Sequence, residues 1–257
     1  MRTEDWDAGV KAARTDVGRI RQGNEDSLYA DASESRGLFI VADGMGGHAA
    51  GEVASEMAVA IIADELTALE SVDAPDSQGR VAEALRRAND AIYRRTVLEA
   101  DKQGMGTTAS VLVLSDSGYV IGQVGDSRIY LLRDGVLRQL TKDHSYVQEQ
   151  VDAGFLTPEQ ARYHPYSNVI TRCVGANEAV EPDVFAGPVQ AGDVFLVASD
   201  GLTGMVDDRR LQQLLSSNAQ PRRVVDALIA EANGRGGLDN ITAVLVQVHS
   251  VNPSGRD

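Results

Sequence analysis

The sequence predicts an α+β protein, because its strand patterns come in groups and its helical patterns come in consecutive pairs. Two helical patterns follow one another between residues 51 and 100, and four strand patterns are grouped between residues 108 and 140. A parallel α/β sheet would require strands and helices in strict alternation. With 257 residues, 43% of them hydrophobic, the chain can bury a sizeable core.

Patterns in the first 100 residues predict three strands and two helices. The run Gly37–Ala42 is continuously apolar, as expected for a strand buried on both faces, and it ends at Asp43. Apolar residues such as Val53, Met57 and Ala60 recur at helical spacing and mark the first helix. The elements predicted here are strands at 10–14, 27–30 and 37–42 and helices at 51–69 and 80–100.

The rest of the chain predicts strands again, a long irregular segment and a final mixed region. Turn pairs such as Asp134-Gly135 separate the four grouped strands, which predicts an antiparallel meander. Residues 142–175 are polar and irregular, with short helical pieces at most, which is typical of a functional flap. No linker is visible, so we expect one domain over 1–248 and a loose tail at 249–257. The predicted elements are strands at 108–114, 119–124, 128–132, 136–140, 194–198 and 241–248 and helices at 207–215 and 221–232.

Charge and composition limit the classes of partner. Lys and Arg total 24 against 38 Asp and Glu, a net charge of −14, which argues against nucleic-acid binding. Cys173 is the one cysteine, which suits a reducing compartment. Residues 1–6 are acidic where a signal peptide is basic, and no apolar run approaches the roughly 20 residues of a membrane span. A cytoplasmic protein without a membrane partner is therefore expected.

Acidic residues recur where strong strand patterns begin or end. Asp43 and Asp200 follow apolar runs, Asp239 precedes the last strand, and Glu25-Asp26 precedes an early one. Any one of them could be a turn residue or a helix cap. Several carboxylates meeting at one sheet edge would repel one another unless cations lay between them. Oxygen ligands without His or Cys favour Mg²⁺ or Mn²⁺ over zinc.

Six short motifs that contain these acids or lie between them occur in order along the chain. They are Arg21-Gln-Gly-Asn24-Glu25-Asp26, Asp43-Gly44-Met-Gly-Gly-His48, Gly106-Thr107-Thr108, Gly125-Asp126-Ser127-Arg128, Ala198-Ser199-Asp200-Gly201 and Asp239-Asn240. In their order and spacing, over residues 10–248, they resemble the protein phosphatase 2C family of metal-dependent protein phosphatases. The Met-Gly-Gly-His form and the flap are similar to its compact bacterial branch. The resemblance implies a four-layer αββα sandwich with two central, mainly antiparallel sheets flanked by helix pairs, and a serine/threonine protein phosphatase activity.

The same resemblance implies a role for each position of a metal site that holds two core Mn²⁺ or Mg²⁺ ions. Direct carboxylate ligands are implied on three strand ends, water-mediated ligands near the N-terminus, and a third ion between two aspartates. An arginine is implied to bind the phosphate of the substrate. The direct ligands are Asp43, which bridges both ions with the Gly44 carbonyl beside it, Asp200 and Asp239. The water-mediated ligands are Glu25 and Asp26, the third ion lies between Asp126 and Asp200, and the phosphate-binding arginine is Arg21.

These residues suit hydrolysis of phosphoserine and phosphothreonine. Two cations lower the pKa of a water and neutralise the phosphate that it attacks, while Arg21 offers a planar fork to the phosphate oxygens. His48 is the candidate proton donor to the leaving alkoxide; alternatively it caps the next helix or contacts substrate. No covalent intermediate is needed, so Cys173 need not be a nucleophile. The expected partners are phosphoproteins, including a Ser/Thr protein kinase and its substrates.

Three other functions can be weighed against this one. Residues 44–49 fit a dinucleotide fingerprint, but the acids about 20 residues later lie inside a helical pattern and a second helix follows. Gly125-Asp-Ser127 resembles the start of certain serine esterases, yet no Asp lies just before His249. A phosphoprotein-binding module of the same fold, without catalysis, remains the alternative; loss of Asp200 or Asp239 would be its sign, and both are present.

Overall fold

The computed structural model describes residues 11–33, 36–46, 50–69, 71–217 and 219–249. Two antiparallel sheets pack face to face, and each carries helices on its outer side. The layers run helix, sheet, sheet, helix, which confirms the predicted αββα sandwich. The α+β class expected from grouped strands and paired helices is therefore confirmed.

The predicted elements are present, with bounds that shift by a few residues. Three elements had no prediction: a two-residue strand, a strand after the flap and a one-turn helix at Asp200. The strands are β1 (Lys11–Asp16), β2 (Asp26–Ala32), β3 (Arg36–Met45), β4 (Gly106–Thr107), β5 (Ala109–Ser115), β6 (Tyr119–Val124), β7 (Arg128–Arg133), β8 (Val136–Gln139), β9 (Asp183–Gly187), β10 (Val194–Ala198) and β11 (Ile241–Gln247). The helices are α1 (Ala50–Leu66), α2 (Ser77–Leu98), α3 (Tyr146–Asp152), α4 (Pro158–Arg162), α5 (Asp200–Thr203), α6 (Asp208–Leu215) and α7 (Pro221–Gly234), with a 3-10 turn at Ala100–Lys102.

The strand order shows that the predicted meander was wrong. One sheet has the order β1-β11-β10-β7-β8 and the other β2-β3-β5-β6-β9, with β4 also paired to β3. The four strands β5 to β8 are therefore two hairpins in different sheets, joined by a turn at Gly125–Ser127. Hydrophobic patterns specify strands but not the sheet to which each belongs. The crossing brings this turn to the place where the two sheets meet.

Small residues bring helix α1 close to its sheet. Ala54 and Ala58 are fully buried, whereas Val53 and Met57, which the sequence pattern placed in the buried stripe, are only partly buried. A Cβ on Gly44 would overlap the carbonyl of Gly51, so the first turn of α1 lies directly against the end of β3. In the described ranges, no helix has both the length and the apolar character needed to cross a bilayer.

The flap (residues 142–175) folds back on itself and contains two short helices, as its sequence allowed. It contains α3, which begins at the cap residue Ser145, and α4, whose cap Thr157 forms a capping box with Gln160. An antiparallel bridge joins Ser145 to Ile170 and closes the base of the flap. A second bridge, between residues 107 and 174, ties its end to β4. The flap therefore returns to the sheet edge at which β3 ends.

Candidate metal centre

Asp26 and Asp43 form a cross-strand pair at one end of the second sheet. Asp26 opens β2 and lies opposite Asp43 in the antiparallel register with β3. Directly opposed residues place their side chains on the same face of the sheet, so the two carboxyls point to the same region. The strand continues to Met45, past the expected end at Asp43. Asp43 is therefore held inside a ladder and does not lie on a loop.

The carboxyl of Asp26 is half satisfied by hydrogen bonds. Its Oδ2 accepts from the hydroxyl of Ser199 at 2.8 Å and lies 2.6 Å from the hydroxyl of Thr242. Its Oδ1 is buried and has no hydrogen-bond partner. Burial raises the pKa of Asp26 to about 7; the two hydroxyls oppose the rise, and nearby Asp200 and Asp239 add to it.

Asp200 enters the same region from the other sheet. It is the first residue of α5. Ser199 before it makes no side-chain capping bond, because its hydroxyl accepts the N–H of Thr242 and donates to Asp26. Burial, followed by the charges of Asp26, Asp200 and Asp126, raises the pKa of Asp43 well above its ordinary value. Burial also raises the pKa of Asp200, while hydrogen bonding with Asp43 lowers it. These carboxyls thus lie within direct interaction distance across the two sheets.

Asp126 lies in the turn that crosses from one sheet to the other. Its side chain is 6% exposed. Burial raises its pKa well above the ordinary value, and the charges of Asp200 and Asp143 add to the rise. Arg128 opposes that rise, although its guanidinium is already paired with Asp143, with Nη2 2.6 Å from Oδ2. Asp126 and Asp200 therefore interact without a cation of their own.

Asp239 lies at the mouth of the site with Arg21. The Nη2 atom of Arg21 donates to Oδ2 of Asp239 at 2.7 Å, and half of the Arg21 side chain is exposed. Asn240 joins the two loops that carry them: its Nδ2 donates to the carbonyls of Val17 and Gly23. Its Oδ1 accepts from the backbone N–H of Glu25. Asp239 and Asn240 thus link the Arg21 guanidinium to the loop that carries Glu25, the predicted water-mediated ligand.

Close backbone packing positions Glu25 and Gly44. The Gly44 N–H donates to the Glu25 carbonyl at 3.1 Å, and Ser55 donates its hydroxyl to the same carbonyl at 2.6 Å. A Cβ on Gly51 would come within 2.9 Å of the Glu25 carboxyl carbon. Glycine at 44 and 51 is therefore required by the approach of α1 to the loop at Glu25. The predicted carbonyl ligand and the predicted water-mediated carboxylate lie side by side.

The donor set fits divalent cations with oxygen ligands. Asp26 and Asp200 each present a buried Oδ1 atom that has no hydrogen-bond partner. A buried carboxylate oxygen without a partner is costly, and a cation would satisfy it. Among the described residues, no group of three His, Cys, Asp or Glu side chains is already arranged to hold a metal ion. Carboxylates repel one another until a cation neutralises them. We therefore expect the carboxylate oxygens of this site to move together as ligands when a cation binds.

The structure brings together eight of the nine predicted site residues: Arg21, Glu25, Asp26, Asp43, Gly44, Asp126, Asp200 and Asp239. His48 lies outside the described residues. Sequence reasoning missed the residues that hold the acids in place, namely Ser199 and Thr242 beside Asp26 and Asn240 beside Asp239. The available signal was a hydroxyl or amide residue next to an acid, as Ser199 is to Asp200 and Asn240 to Asp239, a pattern too common to interpret without contacts.

Comparisons with known proteins find similar sequences and similar folds. The sequence model of the family described as protein phosphatase 2C matches residues 18–233. The serine/threonine phosphatase stp of Listeria monocytogenes serotype 4b (strain F2365) is 42% identical over 248 residues, which cover 95% of this chain and 97% of that protein. The crystal structure of the Mycobacterium tuberculosis serine/threonine phosphatase PstP/Ppp superposes with a TM-score of 0.84 at 40% identity, covering 93% of this chain and 98% of that one. The catalytic domain of PstP in complex with two manganese ions gives the same TM-score, 0.84, at 39% identity and the same coverage.

Proposed function

Because this chain belongs to the protein phosphatase 2C family, we propose that it is a serine/threonine protein phosphatase that uses two divalent cations. Relatives about 40% identical to it are named serine/threonine phosphatases. PstP, one of these relatives, has been solved with two manganese ions. We propose Mn²⁺ or Mg²⁺ for this chain as well, with Asp43, Asp200 and Asp239 as direct ligands.

The observation that carries the proposal is the gathering of buried acids without matching cations. Burial raises the pKa of all four acids, Asp26, Asp43, Asp126 and Asp200, and the charge of Asp200 adds to the rise in the other three. Two of the four present buried oxygens without partners among the described residues. Such an arrangement opposes folding unless a ligand compensates for it. A phosphatase requires that ligand, because cations must neutralise the phosphate as it is attacked.

Each residue of the site has a defined role in the proposed reaction. When bound, the divalent cations supply a nucleophile from water at neutral pH and neutralise charge on the phosphate. Asp43 opposite Asp26 sets the spacing of the ligands, with the Gly44 carbonyl and Glu25 beside them. Arg21 can turn its exposed guanidinium from Asp239 to the phosphate oxygens, which it would hold with a bidentate fork.

Two further roles belong to the proposal. Asp126, together with Asp200, would hold a third cation, since their carboxyls interact and Asp200 has an oxygen without a partner. His48 would protonate the leaving alkoxide of serine or threonine. The substrates would be phosphoproteins, including a protein kinase that phosphorylates serine and threonine and the targets of that kinase.

The test is metal-dependent hydrolysis of a phosphothreonine peptide and of p-nitrophenyl phosphate by the pure, folded protein. Turnover is expected with Mn²⁺ and should be lost with chelator. Asp43→Asn and Asp239→Asn should each lose most activity, whereas Asp226→Asn, which removes the same charge from an exposed pair with Arg14, should keep it. No turnover by the wild type with Mn²⁺ would instead favour a phosphoprotein-binding module without catalysis.

A further inference from the structure

His144 holds both polar groups of the Gly125 peptide unit. Its backbone N–H donates to the Gly125 carbonyl at 2.9 Å, and its Nδ1 accepts the Gly125 N–H at 3.0 Å. The His144 side chain is 6% exposed, so water does not compete for these bonds. Gly125 is the residue immediately before Asp126. A histidine with no expected part in the chemistry is therefore bound to the turn that carries a proposed metal ligand.

The contacts of the two ring nitrogens determine the tautomer of His144. Because Nδ1 accepts a hydrogen bond, the proton of the neutral ring is on Nε2, which lies 3.2 Å from Oδ2 of Asp183. Nη1 of Arg172 lies 3.0 Å from Nε2 but cannot donate to a nitrogen that carries a proton. It donates instead to Oδ1 of Asp183 at 2.8 Å and to the carbonyl of Glu181 at 2.9 Å. Asp183, on β9, therefore orients the imidazole.

Contacts with Thr108 and Gln123 constrain the Gly125 turn in addition to those with His144. Its φ is +101°, and a Cβ at this position would lie 2.6 Å from the side chain of Thr108. The Gly125 carbonyl also accepts from Nε2 of Gln123 at 3.0 Å. The Nδ1 atom of His144 is the acceptor of the Gly125 N–H, which would otherwise be a buried donor without a partner. The direction in which the chain leaves the turn thus depends on His144.

We propose that His144 is a positioning residue that fixes the Gly125 turn. The turn in its fixed form directs the Asp126 carboxyl toward Asp200, and Asp183 keeps the imidazole in the tautomer that this requires. His144 touches no reacting atom in this role. Because His144 belongs to the flap, its bonds to Gly125 also join the turn to the flap, and its carbonyl accepts the N–H of Thr171, near the other end of the flap, at 2.8 Å. The inference rests on the proposed function in one respect, namely that Asp126 is a metal ligand.

Three variants separate this role from a general loss of stability. His144→Leu removes the acceptor, whereas His144→Asn places an amide oxygen near the Nδ1 position and keeps it. His164→Leu is the matched control, since Nδ1 of His164 also accepts a backbone N–H, that of Tyr166 at 3.1 Å, but on the exposed surface of the flap. The first readout is amide hydrogen exchange at Gly125, measured by NMR on metal-free protein. Exchange should be about tenfold faster in His144→Leu, as expected for loss of one buried hydrogen bond, and close to wild type in the other two variants.

The second readout is Mn²⁺ binding by calorimetry. His144→Leu should weaken the cation that depends on Asp126 by about tenfold and leave the tighter cations unchanged. In the Asp126→Asn background, the additional change His144→Leu should have no further effect on binding. A further loss there, or wild-type exchange at Gly125 in His144→Leu, would overturn the proposal.

Two outcomes need a second arm. If His144→Leu does not fold, Asp183→Ala replaces it, because it removes the partner of Nε2 and should speed Gly125 exchange in the same direction; wild-type exchange in that variant would overturn the role of the pair. If the wild type binds no Mn²⁺, the proposed function fails. The exchange experiment still decides the positioning role, because it is made on metal-free protein.

Discussion

Asp26 and Asp43 face each other directly across β2 and β3, and among the residues that the structure describes no cationic side chain is bonded to either carboxyl. Like charges directly opposed on one face of a sheet destabilise it. A register shift of one residue would move both to the opposite face, so the pairing is specified by the buried apolar residues of β3. The fold therefore maintains an unfavourable pair at the point where we propose that cations bind.

Asp43→Asn should stabilise the metal-free protein and abolish its stabilisation by Mn²⁺. The amide has nearly the same shape, carries no charge, and can donate to Asp200, so the free energy of unfolding in chelator should rise by about 1 kcal/mol. For a chain of this size, this corresponds to about 2–4 °C in Tm. Thermal unfolding with chelator and with Mn²⁺ measures both effects, with Asp226→Asn as control. A lower Tm in chelator would show that repulsion does not dominate at this pair.

The stability of the metal-free protein should fall as pH rises toward neutrality. The pKa of Asp26 is 3.8 in the unfolded chain and is raised by burial to about 7 in the fold. Between these values the folded protein holds a proton that the unfolded chain releases, so stability is lost as pH rises through this interval and is constant above it.

Urea unfolding in chelator at several values between about pH 5 and about pH 8 measures this loss. The difference between wild type and Asp26→Asn isolates the contribution of this carboxyl from those of other groups. Saturating Mn²⁺ should reverse the trend, because a cation favours the ionised form. Parallel curves for wild type and variant in chelator would contradict the assignment.

Arg21→Lys should keep the charge at the mouth of the site and lose the planar fork. We expect kcat/KM to fall by roughly 10–100-fold on both aryl and peptide substrates, and inhibition by inorganic phosphate to weaken in parallel. Arg14→Lys, at the exposed pair with Asp226, is the control. Unchanged inhibition by phosphate would mean that Arg21 serves only to hold Asp239.

His48→Ala tests the proposed proton donor. A phenolate leaves without protonation, whereas a serine or threonine alkoxide benefits from a donor. The variant should therefore slow hydrolysis of a phosphothreonine peptide by roughly tenfold or more relative to p-nitrophenyl phosphate. His164→Ala should slow neither. An equal loss on both substrates would assign His48 to the helix cap or to substrate contact.

The sequence predicts the acids of the site better than the residues that hold them. Asp43, Asp200 and Asp239 stand next to strong strand patterns, and the order of motifs allowed a family resemblance that assigned their roles. Ser199 and Asn240 carry no such signal, because their partners lie far away in the chain; the Ser199 hydroxyl reaches Asp26 across 173 residues. Long-range contacts of this kind follow from strand pairing between sheets, which periodicity does not specify.

The same limit explains the error in strand grouping. Turn signals around Gly118 and Gly135 were correct, and both mark true hairpins between paired strands. The connection at Gly125 has the same composition, yet it crosses between sheets. The hydrogen bonds to His144 distinguish it, and they are not visible in the sequence.

Thr242→Val should weaken metal binding without disturbing the core. Valine has the shape of threonine but no hydroxyl, and Thr242 is fully buried at the start of β11. Its hydroxyl lies 2.6 Å from Oδ2 of Asp26, where it fixes the rotation of the carboxyl and directs Oδ1 to the site. With only Ser199 left to donate, Asp26 should bind Mn²⁺ about tenfold more weakly, which is the magnitude of one buried hydrogen bond to a charged group.

Thr242→Ser is the matched control, because it keeps the hydroxyl and removes a methyl group. Calorimetric titration with Mn²⁺ should therefore rank the wild type and Thr242→Ser together, above Thr242→Val, even if Thr242→Ser is the less stable protein of the two variants. This ranking separates orientation of Asp26 from packing, since a packing effect would make the serine variant the weaker binder. Equal affinity in all three proteins would show that the carboxyl is oriented by Ser199 alone.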